Sequence, residues 1–269
     1  MSASAESTES SSVSPFQIIT TIGVLKPFIE EALTIVDEAK IFVDENSLEI
    51  READPANVGM VDVSLDTNIF EQYNGESHQD LVLGIDFKQF DQILNQGNYD
   101  DKVRLLLDPE TKKLTVTIND SLDFTMGLLD PDSIRTSPDL PDLDLKGRAE
   151  IHGSEFNRAV RAADMVSDHV EIGISSPEEE FFFYSEGDTD DMCLELSDGD
   201  EGIEAISGGD DELSSLYSLE YLKDFKANVK GEDNLSLRLG NDFPAKINVE
   251  KADNESLDVT YMLAPRIEA

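Results

Sequence analysis

One succession of predicted elements, a strand, an amphipathic helix and a run of further strands, occurs in the first half of the chain and again in the second. The first copy opens with Phe16 to Gly23, and the second opens with Gly147 to Ile151. The apolar residues of the two helices are Leu25, Phe28, Ile29, Ala32, Leu33 and Val36 in the first copy, and Phe156, Ala159, Val160, Ala163 and Val166 in the second. Both series follow the i, i+3, i+4, i+7 spacing of a helix that buries one face. The duplication predicts two similar domains that can join edge to edge into a curved, symmetric assembly.

Within each half the strand–helix–strands pattern occurs twice, which predicts four helices among many strands. The helices are predicted at Val24–Val36, near Phe87–Leu94, at Ser154–Val166 and at Leu219–Ala227. Alternating apolar residues in the strands, with few and short helices, predict an α+β fold of antiparallel sheets with helices on one face. The stretches Asp66–Asp80 and Asp198–Asp211 are predicted to be irregular, the second as an acidic, glycine-rich loop.

Composition divides the chain into four segments. Residues 1–14 are nearly all Ser, Glu, Thr and Ala, and they are predicted to be a disordered acidic tail. Residues 15–129 and 147–269 hold the two copies, and residues 130–146 hold three prolines and five aspartates. Such a segment cannot be a helix or a central strand, so it is predicted to be an extended connector. Its Leu140 and Leu143 either dock a partner or only pin the connector down.

The formal net charge is −39, from 59 acidic and 20 basic residues. Acidic patches can imitate nucleic acid or bind metal, acidic tails can solvate a disordered chain, and a wholly acidic surface can be an adaptation to molar salt. Here the carboxylates are spread over every segment, which favours the last explanation. At about 1 M salt the Debye length is only about 3 Å, so most of the self-repulsion vanishes. The composition is typical of a halophilic protein with an acidic surface.

No catalytic constellation is present in the sequence. There is no Walker loop, no G-x-G-x-x-G, no G-x-S-x-G and no cysteine pair for zinc. The acidic loops lack the EF-hand spacing, and the three histidines lack a metal-ligand spacing. The single cysteine, Cys193, cannot form an internal disulfide, and no apolar run reaches the roughly 18 residues of a membrane span. The sequence predicts a cytoplasmic protein that is not an enzyme, with no metal, no cofactor and no membrane partner.

The few cations are placed on the polar faces of all four predicted helices. They are Lys26, Lys88, Arg158, Arg161, Lys223 and Lys226. Solvated helix faces explain any one of them, and acids such as Glu30 and Asp164 share the same faces. Cations on all four helices nevertheless suit a polyanion lying along that side of the sheets.

Several segments resemble the sliding clamps of archaeal and eukaryotic replication, the proliferating cell nuclear antigen (PCNA) family. Leu48 to Leu65, with its Ala-Asp-Pro-Ala-Asn-Val turn, resembles a strand–turn–strand of the family, and Gly153 to Arg161 is similar to the first helix of its second domain. Leu219 to Phe225 resembles its last helix. Phe243-Pro244 and the ending from Met262 to Glu268 resemble its partner-binding tail. The resemblance runs from Phe16 to Glu268.

That resemblance implies a DNA-clamp fold of two similar domains with two helices each, closing head to tail as a homotrimeric ring. Twelve helices would line a channel around double-stranded DNA, which is bound without regard to sequence, and the six helix cations would face that channel. Closure would pair the strands Ser121–Leu128 and Asp191–Ser197 of adjacent subunits. The trimer-interface residues on them are Phe124, Met126, Met192 and Leu194.

The resemblance also implies a hydrophobic pocket under the connector for a short peptide with a glutamine, an aliphatic residue and two aromatics. Its residues here would be Ala53, Asn57, Val58, Met60, Leu140, Pro141, Pro244, Met262, Ala264 and Pro265. Asn57 stands where some relatives have histidine. The implied partners are DNA polymerase, the clamp loader (replication factor C), flap endonuclease and DNA ligase.

The function that follows is a DNA polymerase processivity factor in DNA replication and repair, a sliding clamp that tethers enzymes to DNA. One alternative is an acidic DNA mimic that inhibits a DNA-binding protein, in which the helix cations would be dispensable. Another is a metal-dependent hydrolase, which would require carboxylates that converge in one pocket.

Overall fold

The computed structural model describes residues 15–78, 80–135, 143–175, 180–208 and 212–266. In the first half the elements are β1 (Gln17–Thr21), α1 (Ile22–Leu33), β2 (Glu38–Val43), β3 (Ser47–Ala53), β4 (Gly59–Asp66), β5 (Gln72–Tyr73), β6 (Val82–Asp86), α2 (Phe87–Leu94), β7 (Lys102–Asp108), β8 (Lys113–Ile118) and β9 (Leu122–Gly127). In the second half they are β10 (Gly147–His152), α3 (Gly153–Ala163), β11 (His169–Ile174), β12 (Phe181–Glu186), β13 (Asp191–Leu196), β14 (Ile203–Ser207), β15 (Leu213–Ser218), α4 (Leu219–Ala227), β16 (Asn234–Leu239), β17 (Ala245–Glu250) and β18 (Leu257–Leu263).

The strands form three antiparallel sheets. The first has the order β5-β1-β7-β8-β9, and the smallest has the order β13-β12-β11-β15. The nine-stranded sheet, β14-β10-β16-β17-β18-β4-β3-β2-β6, draws on both halves because β18 pairs with β4 from Leu257↔Leu65 to Leu263↔Gly59. Antiparallel sheets with four α-helices among the described residues confirm the predicted α+β class.

Each element of the first half has a counterpart in the second. The buried residues Leu25, Phe28, Ile29 and Ala32 of α1 correspond to Phe156, Ala159, Val160 and Ala163 of α3. The sheet ends β5 and β14 correspond to each other, as do β6 and β15. The repeat is broken at one place only in the described structure: β18 and β4 are paired, whereas their counterparts β9 and β13 lie at sheet ends. Two long edges are therefore left with one free side each.

The helices pack in pairs, α1 with α2 and α3 with α4, over a core that runs through both halves. Helix α2 begins and ends where the pattern predicts, and so does α4. Helices α1 and α3 begin and end slightly earlier than predicted, at Ile22–Leu33 and Gly153–Ala163.

The prediction of a continuous loop over Asp198–Asp211 is wrong, because β14 lies within it. This strand pairs with β10 through an interrupted register, which shifts between Glu150 and Ile151. Of its residues only Ile203 is buried, so alternation along the strand is too weak to detect in the sequence. The irregular stretch Asp66–Asp80 likewise contains the two-residue strand β5, which pairs with β1.

A buried ionic network joins the two halves behind the β18–β4 pair. Lys251 Nζ lies 2.6 Å from Glu31 Oε1 and also donates to the Asn228 carbonyl oxygen at 2.6 Å. Tyr261 donates its hydroxyl proton to the other Glu31 oxygen. Burial, and then the Glu31 charge, raise the pKa of Tyr261 well above its usual value, so the hydroxyl stays a donor. Because the Lys251 and Glu31 side chains are only 6% and 2% exposed, neither charge has water as a substitute partner.

Replacing Lys251 with methionine is expected to lower the free energy of unfolding by about 3–5 kcal/mol, because the buried Glu31 carboxylate loses its cation. The matched control is Lys230→Met, which removes the exposed ion pair with Asp253 and should cost at most about 1 kcal/mol. Urea unfolding in molar KCl at fixed protein concentration measures both. Equal losses in the two variants would contradict the structural role given to the buried pair.

Candidate nucleic-acid and partner-binding surfaces

The six predicted channel cations all lie on helices, one on each helix of the first half and two on each of the second. They are Lys26 on α1, Lys88 on α2, Arg158 and Arg161 on α3, and Lys223 and Lys226 on α4. In every helix the buried residues occupy the face toward the core, which leaves the cations half-buried or exposed. The helices therefore present their cations away from the core.

Carboxylates neutralise four of these cations. Lys26 lies 3.6 Å from Glu30, Lys88 2.5 Å from Asp37, Arg158 3.1 Å from Glu155 and Lys223 2.8 Å from Asp164. The Asp164 carboxylate raises the pKa of Lys223 through its hydrogen bond and its charge. Arg161 and Lys226 form no ion pair with any described residue. Most of the positive charge on the helix surface is thus neutralised within the chain.

The turn between β3 and β4 is organised by one carboxylate. Asp54 accepts hydrogen bonds from the backbone N–H groups of Ala56, Val58 and Gly59, each at 2.7 Å, and from the Tyr221 hydroxyl of α4 at 3.0 Å. Partial burial alone would raise the pKa of Asp54, but these hydrogen bonds outweigh it and lower the pKa. The stabilisation is therefore present above the ordinary carboxyl pKa and is lost as acidification passes the lowered value. At neutral pH the turn is held fixed.

Tyr221 ties this turn to the second half of the chain. Burial, followed by the hydrogen bond and charge of Asp54, raises the pKa of Tyr221 to about 12. The ring also packs so closely on Gly59 that a Cβ there would lie 2.6 Å from Tyr221 Cδ1. Only glycine fits between the turn and α4.

Beside the turn, three predicted pocket residues form an apolar cluster separate from the main core. Ala53 is opposite Met60 in the β3–β4 pair, and Met60 is opposite Met262 in the β4–β18 pair, so the three lie in one row across the sheet. Leu143 of the connector packs against them. The structure thus brings together a small apolar surface that the connector partly covers.

The remaining pocket residues lie around this cluster. Ala264 donates its N–H to the Val58 carbonyl oxygen at 2.8 Å, and Pro265 follows it half-exposed. Pro244 immediately precedes β17, whose Ala245 is opposite Leu263. Asn57 adopts a left-handed conformation with φ 57° in the turn. The predicted residues Leu140 and Pro141 lie outside the described residues.

Sequence reasoning missed one polar contact of the connector. Arg135 donates from Nη1 to the Asp54 carbonyl oxygen at 3.1 Å and from Nη2 to Asn57 Oδ1 at 2.7 Å. A lone arginine in a Pro/Asp-rich segment carries no pattern, and its partners are distant in sequence. Its effect is to fasten the start of the connector to the β3–β4 turn.

The predicted interface residues lie on the two unmatched edges. On β9, Met126 is buried and Phe124 is half-buried, while the neighbouring Leu122 is 41% exposed. On β13, Leu194 is buried and Met192 is half-buried. Both edge strands thus carry apolar side chains.

The described residues hold neither a group of metal ligands nor a membrane-spanning helix. No three or more His, Cys, Asp or Glu side chains converge there as a metal would require. No helix in those parts is both long and apolar enough to cross a membrane.

Comparison with known proteins agrees with this geometry. The model of the N-terminal domain of proliferating cell nuclear antigen matches residues 18–128. Proteins described as DNA polymerase sliding clamps from Natronomonas pharaonis and Haloarcula marismortui are 42% and 41% identical over 254 residues, covering 94% of this chain and 99% of each relative. Among solved structures, A. fulgidus PCNA bound to the C-terminal region of FEN-1 superposes with a TM-score of 0.85 and 31% identity, covering 94% of this chain and 99% of that one. PCNA from Thermococcus kodakaraensis has a TM-score of 0.82 at 24% identity, covering 93% and 100%, and supports the fold alone.

The duplicated architecture is therefore that of the PCNA-type clamps. Identity over nearly the whole length places the chain further: it belongs to the DNA polymerase sliding clamp family, in the type found in halophilic archaea. It is a processivity factor and not an enzyme, as predicted. The alternative of an inhibitory DNA mimic finds no support among these relatives.

Proposed function

We propose that three copies of this chain close head to tail into a ring around double-stranded DNA in the cytoplasm. The observation that carries the proposal is the break in the internal repeat. Strands β18 and β4 pair within the chain, and their counterparts β9 and β13 each keep a free side. Pairing β9 of one subunit with β13 of the next would repeat the β18–β4 joint at each of three boundaries.

The repeat also supplies the register of that pairing. Leu122 and Phe124 occupy the positions of Val259 and Tyr261, because β8 pairs with β9 as β17 pairs with β18. Leu194 and Met192 likewise occupy the positions of Val63 and Val61. Since Val259 is opposite Val63 and Tyr261 is opposite Val61, the proposed boundary sets Leu122 against Leu194 and Phe124 against Met192.

Such a ring needs only weak and sequence-independent contact with DNA. Helices α1 to α4 of each subunit would line the channel with Lys26, Lys88, Arg158, Arg161, Lys223 and Lys226. Most of these cations are neutralised, and phosphate contacts weaken further at high salt. Topological linkage, and not affinity, would then keep the clamp on DNA.

The partner site we propose is the apolar cluster of Ala53, Met60 and Met262 together with the residues around it. Those residues are Asn57, Val58, Pro244, Ala264, Pro265 and, from the connector, Leu140 and Pro141. A short peptide with a glutamine, an aliphatic residue and two aromatics would dock beside Leu143. Flap endonuclease is a partner by analogy with the A. fulgidus complex, which contains the C-terminal region of FEN-1. The other proposed partners are DNA polymerase, the clamp loader replication factor C and DNA ligase. We also propose that residues 15–129 and 147–269 form the two clamp domains.

The decisive experiment combines subunit number with DNA topology in molar KCl. Light scattering should give three times the 29.7 kDa chain mass. Clamp that a loader has placed on nicked circular DNA should be retained, and linearising the circle should release it. A monomer in molar salt, or equal loss from circles and linear fragments, would refute the ring.

A further inference from the structure

The joint inside the chain has a cation on its outer face. Asp62 on β4 is opposite Thr260 on β18. Arg51 on β3 is opposite Asp62 and binds its two carboxylate oxygens through Nε and Nη2, at 3.1 and 3.2 Å. A bidentate arginine adds geometric specificity as well as energy to its pair with a carboxylate. At this joint the negative charge of Asp62 is therefore neutralised by Arg51.

The boundary between subunits, as it would exist in the proposed ring, has no such cation. By the internal repeat Cys193 takes the position of Asp62, and Tyr184, which is opposite Cys193, takes the position of Arg51. Asp123 takes the position of Thr260, so it would be opposite Cys193 of the neighbouring subunit. Asp191 and Glu195 lie on either side of Cys193 along the same face of β13. They would then be the diagonal neighbours of Asp123 across the boundary.

Three exposed carboxylates would thus meet on the outer face of each boundary. Asp123, Asp191 and Glu195 are all exposed in the single chain. Diagonal neighbours on antiparallel strands are about 7–8 Å apart, close enough for like charges to destabilise the pair. The Debye length is about 10 Å at 0.1 M salt and about 3 Å at 1 M, so this repulsion acts in dilute salt and is screened in molar salt.

The surrounding groups do not cancel this charge. Asp123 accepts a hydrogen bond from Thr117 Oγ1 at 2.7 Å, and Arg104, which is opposite Thr117 on β7, forms no ion pair with Asp123. On the other side Glu186 is opposite Asp191. The pKa of Cys193 is raised by burial and then by the charges of Glu195 and Asp191, so the acidic field exists before assembly.

We infer that the salt concentration needed for assembly is set at the subunit boundary, where Asp123 faces Asp191 and Glu195, and not by the acidic surface as a whole. The inference deepens the proposed function, since it names how the ring would be regulated by ionic strength.

The test compares two double variants with the same change in net charge. Asp123→Asn with Glu195→Gln neutralises the boundary, and Glu232→Gln with Glu255→Gln neutralises exposed positions outside both edge strands. Light-scattering mass is measured for each from about 0.1 M to above 1 M KCl. The boundary variant should assemble at lower salt than the wild type, with about a tenfold lower dissociation constant at about 0.1 M. The control should follow the wild type.

A gain of function gives a second readout. Tyr184→Arg restores the cation that Arg51 provides inside the chain, so it should also lower the salt needed for assembly. Equal shifts in the boundary and control variants would overturn the inference, and so would a wild-type trimer that persists unchanged at low salt. Both results leave the ring itself standing. A monomer at every salt concentration would instead remove the proposed ring.

Discussion

Replacing Phe124 with aspartate is expected to abolish the trimer even in molar salt. Phe124 is half-buried on β9, and in the proposed register it is opposite Met192 of the next subunit. An aspartate there would bury an unpaired charge against an apolar side chain, a cost of several kcal/mol that salt screening does not remove. Each boundary would weaken by at least about a hundredfold at the usual 1.4 kcal/mol per factor of ten. Light-scattering mass in molar KCl, with circular dichroism to verify folding, measures the effect.

Tyr99→Asp is the matched control for this variant. It also exchanges an aromatic ring for a carboxylate, but Tyr99 is 55% exposed on the loop between α2 and β7, outside both edge strands. It should leave the trimer mass unchanged, and Phe124→Leu should preserve assembly as well. A folded Phe124→Asp protein that still has the wild-type mass would show that β9 is not the closing edge.

Charging the rim of the apolar cluster is expected to remove partner binding without opening the ring. Pro265 is half-exposed and follows Ala264, whose N–H is fixed to the Val58 carbonyl oxygen. Pro265→Asp places a charge where an apolar peptide segment would dock, and so does Leu143→Asp on the connector. Either change should weaken binding of a FEN-1-type C-terminal peptide by about a hundredfold or more, the size of effect typical of a binding hot spot. Fluorescence anisotropy in molar KCl reports the affinity.

The control for the cluster variants is Ile69→Asp, which charges an apolar residue that is 38% exposed away from the β3–β4 turn. It should bind the peptide as the wild type does. All three variants should keep the trimer mass, because neither edge strand is altered. Wild-type affinity in both Pro265→Asp and Leu143→Asp would exclude this cluster as the peptide site.

The helix faces could be predicted from the sequence, but two of the helix starts could not. Helix α2 begins after Asp86, whose side chain accepts a hydrogen bond from the Gln89 N–H, so a residue next to the helix marks its start in the sequence. Helices α1 and α3 have no side-chain cap. Their first N–H groups donate to carbonyl oxygens of distant loops, Ile22 to Asp101 and Gly153 to Asp233, as the first N–H groups of α2 and α4 also do. Contacts between residues so far apart in the chain cannot be predicted from the local spacing of apolar residues.

The candidate surfaces divide in a similar way. The cations of α1 to α4 follow from helical spacing, and the pocket residues follow from the family resemblance, which points to the turn, the tail and the connector together. The buried partners Glu31 and Lys251 do not, because single charged residues in amphipathic elements look like surface residues until the fold encloses them. Arg135 is hidden for the same reason, since its acceptors lie in a turn that only tertiary structure brings near.

The enclosed charges between the two halves have a consequence for loading onto DNA. In the proposed ring of three chains, the six domains would meet at two alternating kinds of boundary. The boundary inside each chain is held by Lys251, Glu31 and Tyr261. The proposed boundary between chains would have no such ionic contact, since Ala162 takes the place of Glu31 and Phe124 that of Tyr261. In the proposed ring, strain applied anywhere would therefore be released at a boundary between chains. A clamp loader would then need only to distort the ring as a whole to open it there.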